Sequence, residues 1–142
     1  MKLIFKYPSV ERPGVLGSVR APAIPIILVG KDPTKQFHTI ALIDTGADFS
    51  ALPYHVAEIL GLDLSGEKET VSGVGGKVDA IRSEVTLVIK GRREKVTMRL
   101  ELRVVLTDVE DEFPVLLGRK DFLEHFEITI NEKEGKVWLK EI

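Results

Sequence analysis

Apolar and polar residues alternate with a period of two along most of this chain, and the runs are cut by turn residues every few positions. Ile24–Val29 is rich in β-formers, and Pro22 and Pro25 suit an edge or a strand start. Gly30-Lys31-Asp32-Pro33-Thr34 is a turn cluster, and Phe37–Ile43 follows as a second strand, so the two predict a hairpin. Pro53 opens a short helical stretch, Tyr54–Leu60, with Val56, Ile59 and Leu60 on one face and Gly61 as its stop. Glu69–Val74 and Lys77–Ile89 predict two strands around the tight turn Gly73-Val74-Gly75-Gly76. In Glu94–Leu106, Val96, Met98, Leu100, Leu102 and Val104 share one face, while Lys95, Thr97, Arg99, Glu101 and Arg103 share the other. Phe113–Leu117 is a short apolar run broken by Gly118-Arg119. Lys120–His125 can form a helical turn with Phe122 and Leu123 inward, and Glu127–Ile130 with Lys136–Leu139 predicts a terminal hairpin. Many short strands and two brief helices predict an all-β barrel or sandwich-like domain.

The chain has 142 residues, which predicts one domain spanning residues 1–142. Lys and Arg number 20 against 22 Asp and Glu, so there is no basic excess for a nucleic acid partner. Cysteine is absent, which removes disulfides, thiolate metal sites and a cysteine nucleophile. No apolar run is long enough to span a membrane, and Met1–Tyr7 does not read as a signal peptide, so a soluble cytoplasmic protein is expected. His38, His55 and His125 are scattered without metal-ligand spacing, Ser50 and Ser72 lack a hydrolase elbow, and no phosphate-binding loop is present.

The richest segment runs from Ala41 to Pro53. An aspartate, Asp44, ends a buried apolar strand and starts a turn made by Thr45-Gly46-Ala47. A carboxylate there is costly unless it has donors or a task. Three further features follow in order: Ser50, the glycine-rich tip Gly73–Gly76, and a second apolar strand, Val115-Leu116-Leu117, ending in Gly118-Arg119.

On these residues the chain resembles the retropepsin-like aspartic proteases, from about Ile24 to about Ile130. The resemblance implies an all-β, retropepsin-like acid protease barrel, a single lobe with one or two short helices. It implies Asp44 as the catalytic carboxylate, Thr45 as a brace to a partner loop, and Gly46 where substrate backbone passes. Ala47, Asp48, Gly73, Val74, Gly75 and Gly76 would line the substrate or form a flap over it, with Val74, Ile81 and Leu116 near subsites. Ser50, Gly118 and Arg119 would support the loop, with Asp48 and Arg119 as an internal ion pair.

Such enzymes use two carboxylates sharing one proton. Asp-Thr-Gly occurs once here and Asp-Ser-Gly not at all; Asp63-Leu64-Ser65-Gly66 has an extra Leu64. The second carboxylate is therefore expected from another copy of the chain, in a homodimer acting on peptide or protein substrates without metal or organic cofactor. The alternative is a catalytically silent peptide-binding or dimerisation module of the same fold, against which the intact Asp44-Thr45-Gly46 argues.

Overall fold

Period-two alternation and the turn residues between runs produce the strands that the computed structural model of the chain contains. The structure describes residues 2–11, 18–73, 76–106 and 114–142. In chain order these form β1 (Lys2–Lys6), β2 (Ser9–Glu11), β3 (Ser18–Arg20), β4 (Ala23–Val29), β5 (Gln36–Ile43), β6 (Ser50–Pro53), α1 (Tyr54–Leu60), β7 (Lys68–Gly73), β8 (Gly76–Lys90), β9 (Lys95–Leu106), β10 (Val115–Leu117), a kinked helical segment (Arg119–Leu123), β11 (Phe126–Asn131) and β12 (Lys136–Glu141).

The main sheet runs β4-β5-β10-β6-β9-β8-β7. Pairing of β4 with β8, Ile27 opposite Val88 through Val29 opposite Thr86, closes its first six strands into a barrel. A closed barrel has no exposed edge, and β7 hangs from it as the outer arm of a hairpin. Pro25 is tolerated inside β4 because β8 pairs only from Ile27 onward, so no ladder bond is lost at the proline. In the β4–β5 turn, Thr34 donates to Asp32 Oδ1 from its backbone N–H (3.0 Å) and its hydroxyl (2.7 Å), which holds the Asp32 carboxyl below its usual range.

Two pairings cross large stretches of chain. β10 lies parallel to β5, with Val115 opposite Ala41 and Leu117 opposite Ile43, and antiparallel to β6, with Leu116 opposite Ala51. β6 in turn lies parallel to β9. A parallel neighbour cannot be reached by a hairpin. Here the intervening chain builds the far side of the barrel before returning.

The terminal hairpin expected from sequence is present as β11–β12, and β1 joins it to make an antiparallel sheet β1-β12-β11. Its inner face sends Leu3, Val137 and Leu139 into the same buried cluster as Ile24, Leu28, Leu87, Leu100 and Leu117 of the barrel. Phe122 and Phe126 sit at the junction of barrel and sheet, with ring centroids 5.3 Å apart.

Two local expectations need correcting. In α1 the buried residues are Val56, Ala57 and Leu60, while Ile59 is exposed. At 100° per residue, Ala57 lies on the Leu60 side of Val56, and Ile59 falls on the opposite rim of the stripe. The helical turn over Lys120–His125 is not regular either. Lys120 is extended and Asp121 takes φ 66°, a conformation uncommon outside glycine. The Asp121 carboxylate accepts the Glu101 backbone N–H at 2.8 Å, and its own N–H donates to Glu124 Oε1 at 2.8 Å. The kink thus docks on β9 and still turns Phe122 into the core.

Phe122→Ala removes a fully buried ring from the joint between barrel and terminal sheet. It should cost about 3–5 kcal/mol, read as a lower urea midpoint at unchanged slope. An unchanged midpoint would mean that the two sheets are not held through this ring.

Candidate active site

The site is built where two parallel strands end side by side. Ile43 of β5 and Leu117 of β10 are register partners, so the loops beginning at Asp44 and Gly118 leave the barrel together. The Asp44 N–H donates to the Leu117 carbonyl at 2.9 Å. One Asp44 carboxylate oxygen, Oδ1, accepts the Gly46 N–H at 3.0 Å, and the Asp44 carbonyl accepts the Ala47 N–H at 3.2 Å. A short polar side chain that hydrogen-bonds the backbone two residues on makes such a turn self-supporting. Asp44 is half-buried, with Thr45 and Gly46 exposed beside it.

Three further bonds fasten this loop to the one after β10. The Gly118 N–H donates to Ser50 Oγ at 2.9 Å, the Arg119 N–H to the Ala47 carbonyl at 2.8 Å, and the Lys120 N–H to the Asp48 carbonyl at 2.9 Å. Ser50 is fully buried, so its hydroxyl bond to Gly118 is made away from solvent, where an unmade bond is costly. Gly118 is required by space. A Cβ there would lie 2.5 Å from the Phe49 carbonyl oxygen and 2.9 Å from that of Ala47.

The site residues expected from sequence divide into two groups. Asp44, Thr45, Gly46, Ala47, Asp48, Ser50, Gly118 and Arg119 are brought together by these bonds. Asp48 and Arg119 also meet through their side chains, at 3.7 Å, but those are 78% and 67% exposed, so the ion pair adds little beside the backbone bonds. Gly73 and Gly76 are paired at the end of the β7–β8 hairpin, and Val74 and Gly75 lie outside the described residues.

One feature of the site was missed by pattern reading. Alternation puts Arg103 on the solvent side of β9, yet the residue is only 4% exposed. Its guanidinium lies 3.7 Å from the centroid of the Phe49 ring, in the Asp44 loop, and its Nε donates to Glu69 Oε2 of β7 at 2.9 Å. Glu69 Oε1 binds Arg82 Nη2 at 3.2 Å, and Glu101 lies near both arginines, at 3.8 Å and 3.9 Å. Arg103 Nη1 is buried without a hydrogen bond among the described residues. Two arginines and two glutamates thus alternate around a ring that joins β7, β8 and β9 to the Asp44 loop. The only sequence signal for it is the opposite charge on these strands, which surface pairs show equally.

Among the described residues no group of three or more His, Asp or Glu is placed to hold a metal ion, and no helix is long and apolar enough to cross a membrane.

The aspartyl protease family model matches residues 34–120, a span that contains the Asp44 loop, the β7–β8 hairpin and Gly118. No curated protein sequence matches. Among solved structures, EIAV protease complexed with the inhibitor HBY-793 is similar, at a TM-score of 0.51 and 26% identity over 74% of this chain and 88% of that one. A retropepsin-like aspartic protease from Rickettsia conorii superposes at a TM-score of 0.60 and 22% identity, covering 98% of this chain and 89% of that one, and supports the fold. By this family match and by a barrel whose paired strand ends carry Asp44-Thr45-Gly46, the chain belongs to the aspartyl protease family, as an aspartic-type endopeptidase with a retropepsin-like single-lobe fold.

Proposed function

We propose that residues 1–142 form one catalytic domain that cleaves peptide bonds only as a homodimer, with Asp44 of each chain facing a shared water. The observation that carries this reading is that one lobe presents one such aspartate, on a loop held rigid by backbone bonds and by Ser50. A two-fold dimer sets identical patches against each other and supplies the second carboxylate by symmetry.

Two carboxylates so close cannot both ionise, so the pair holds one proton between them. The ionised Asp44 takes a proton from water as its oxygen attacks the scissile carbonyl carbon. The neutral Asp44 gives its proton to the carbonyl oxygen, producing a gem-diol. Collapse returns the carbonyl, breaks the C–N bond, and passes a proton to the departing amine. The titration belongs to the pair rather than to either residue.

Thr45 braces one loop against its partner in this dimer, and Gly46 leaves room for the substrate backbone. The end of the β7–β8 hairpin, where Gly73 and Gly76 pair, serves as a flap over an extended peptide that adds as a strand above Ala47 and Asp48. Ser50, Gly118 and Arg119 keep the loop in place. The Arg103 ring with Glu69 ties the base of the flap to the same loop.

Three outcomes follow. Asp44→Asn should leave the dimer folded and lower kcat for a peptide substrate by at least about a thousandfold, since a dyad without its proton-sharing pair loses general acid–base catalysis. Cleavage at the wild-type rate would remove Asp44 from the chemistry, and peptide binding without turnover by the wild type would favour a silent binding module. Thr45→Ala should raise the dimer dissociation constant in sedimentation while the unfolding midpoint of the subunit stays in place. An unchanged dissociation constant would remove the bracing role. Wild-type activity against peptide should show a bell-shaped acidic pH profile and should not respond to chelator. Loss of activity on chelation would point to metal chemistry instead.

A further inference from the structure

The strands that meet at the Asp44 loop carry one row of side chains on the face turned away from the core. Register aligns Leu42, Leu116, Ala51 and Arg103 across β5, β10, β6 and β9. Their chain neighbours Ile43, Leu117, Leu52 and Leu102 are buried in the core cluster, so alternation turns this row the other way. Asp44 follows Leu42 by two residues and falls on the same alternation. Leu42, Leu116 and Ala51 are half-buried. The floor beside Asp44 is thus apolar, is lowest at the small Ala51, and ends at the buried guanidinium of Arg103.

That end holds a donor and an acceptor that do not satisfy each other. Arg103 Nη1 is buried and has no hydrogen bond among the described residues, an arrangement that costs free energy and calls for a partner. Glu101 stands two residues earlier on the same face of β9, and its Oε2 lies 3.8 Å from Nη1, too far for a hydrogen bond. Its Oε1 is 3.9 Å from Arg82 Nε, so the carboxylate faces both arginines and bonds neither nitrogen. The Glu101 side chain is 25% exposed, which leaves this gap a way in that Nη1 alone does not have. Arg103 and Arg82 are balanced by Glu69 and Glu101, so the ring around the gap is neutral as it stands.

We propose that Arg103 and Glu101 determine specificity, by selecting a substrate side chain that ends in a primary amide and lies over Ala51. The amide oxygen accepts from Arg103 Nη1 and the amide NH2 donates to Glu101 Oε2, so one neutral group closes the gap between them. A carboxylate would satisfy Nη1 but stand against Glu101, and an ammonium would satisfy Glu101 but stand against Arg103. An apolar side chain would leave both unmade, and a site built to hydrogen-bond its ligand rejects such analogues. Phe49 covers the guanidinium face at 3.7 Å and is half-buried, so its ring tilts aside as the side chain enters. The cation–π contact given up is weaker than the charge-assisted hydrogen bonds that replace it. This inference rests on the protease reading, which lays an extended peptide along Ala47 and Asp48, and it names the side-chain class that such a peptide carries.

The test uses blocked, internally quenched eight-residue peptides at pH about 6, where a substrate glutamate is ionised. Glutamine, glutamate, lysine or leucine is fixed at each position in turn, with an apolar mixture elsewhere. At one position glutamine should exceed each of the other three in kcat/KM by at least about tenfold. Arg103→Met should bring the glutamine-to-leucine ratio at that position close to one. Glu101→Gln should bring the glutamine-to-glutamate ratio below about threefold, because the repelling charge is gone. A ratio between peptides is not moved by a general loss of structure, which lowers all four alike. The same peptides, labelled, are also bound to the Asp44→Asn protein and followed by fluorescence anisotropy. Glutamine preference in binding without cleavage by the wild type would sink the catalytic reading and support this one. Cleavage with no glutamine preference at any position would overturn this inference and leave the catalytic reading in place. It is equally overturned by the absence of preference in binding, or by ratios that both variants leave as in the wild type.

Discussion

Everything at this site depends on the hydrogen bonding that joins the ends of β5 and β10. These strands are more than seventy residues apart in the chain, and their parallel pairing is what brings the Asp44 loop against Gly118. The Asp44 N–H on Leu117 and the Gly118 N–H on Ser50 Oγ then fasten each loop to the opposite strand. A catalytic carboxylate must be held to within a fraction of an ångström of its working position. A loop with only its own turn to hold it could not do this. Here the backbone of four residues is committed to fixed partners, and the one side-chain bond involved is buried. The close approach also explains why Gly118 cannot carry a side chain, and why the exposed Asp48–Arg119 pair is secondary.

The Arg103 ring applies the same constraint from the other side. Burying a guanidinium costs free energy unless carboxylates and further bonds surround it, and here one nitrogen has no hydrogen bond among the described residues. An apolar residue at this position would pack without that cost, so the arrangement is better understood as a device for position than for stability. Arg103 touches Phe49 in the Asp44 loop and Glu69 at the base of the β7–β8 hairpin at once. One planar group thus touches both the hairpin and the loop.

What could be read from the residues alone follows a physical line. Local pairings were legible: β4 with β5, β7 with β8 and β11 with β12 are hairpins whose alternation and turn residues lie within one short stretch. The Asp44 loop was legible because an acid at the end of an apolar strand demands a reason. Non-local pairings were not. Nothing in Lys2–Lys6 says that it will lie beside Lys136–Glu141, because alternation fixes which face is apolar but not which strand is the neighbour. Arg103 kept strict alternation and was still buried, since Phe49 and Glu69 arrive from distant parts of the chain to cover it. The bend at Lys120-Asp121 is set by a bond to Glu101, again outside the local window. The terminal hairpin also gains a third strand that alternation did not announce: β1 completes that sheet within one chain.

The central claim is that each active site is made by two chains. Mixing wild-type protein with growing proportions of the Asp44→Asn variant, under conditions where subunits exchange, tests it most directly. If both carboxylates are needed, activity per total protein falls with the square of the wild-type fraction, because a mixed dimer has one working aspartate and is silent. A fall in simple proportion to the wild-type fraction would show that one chain suffices and would contradict the account.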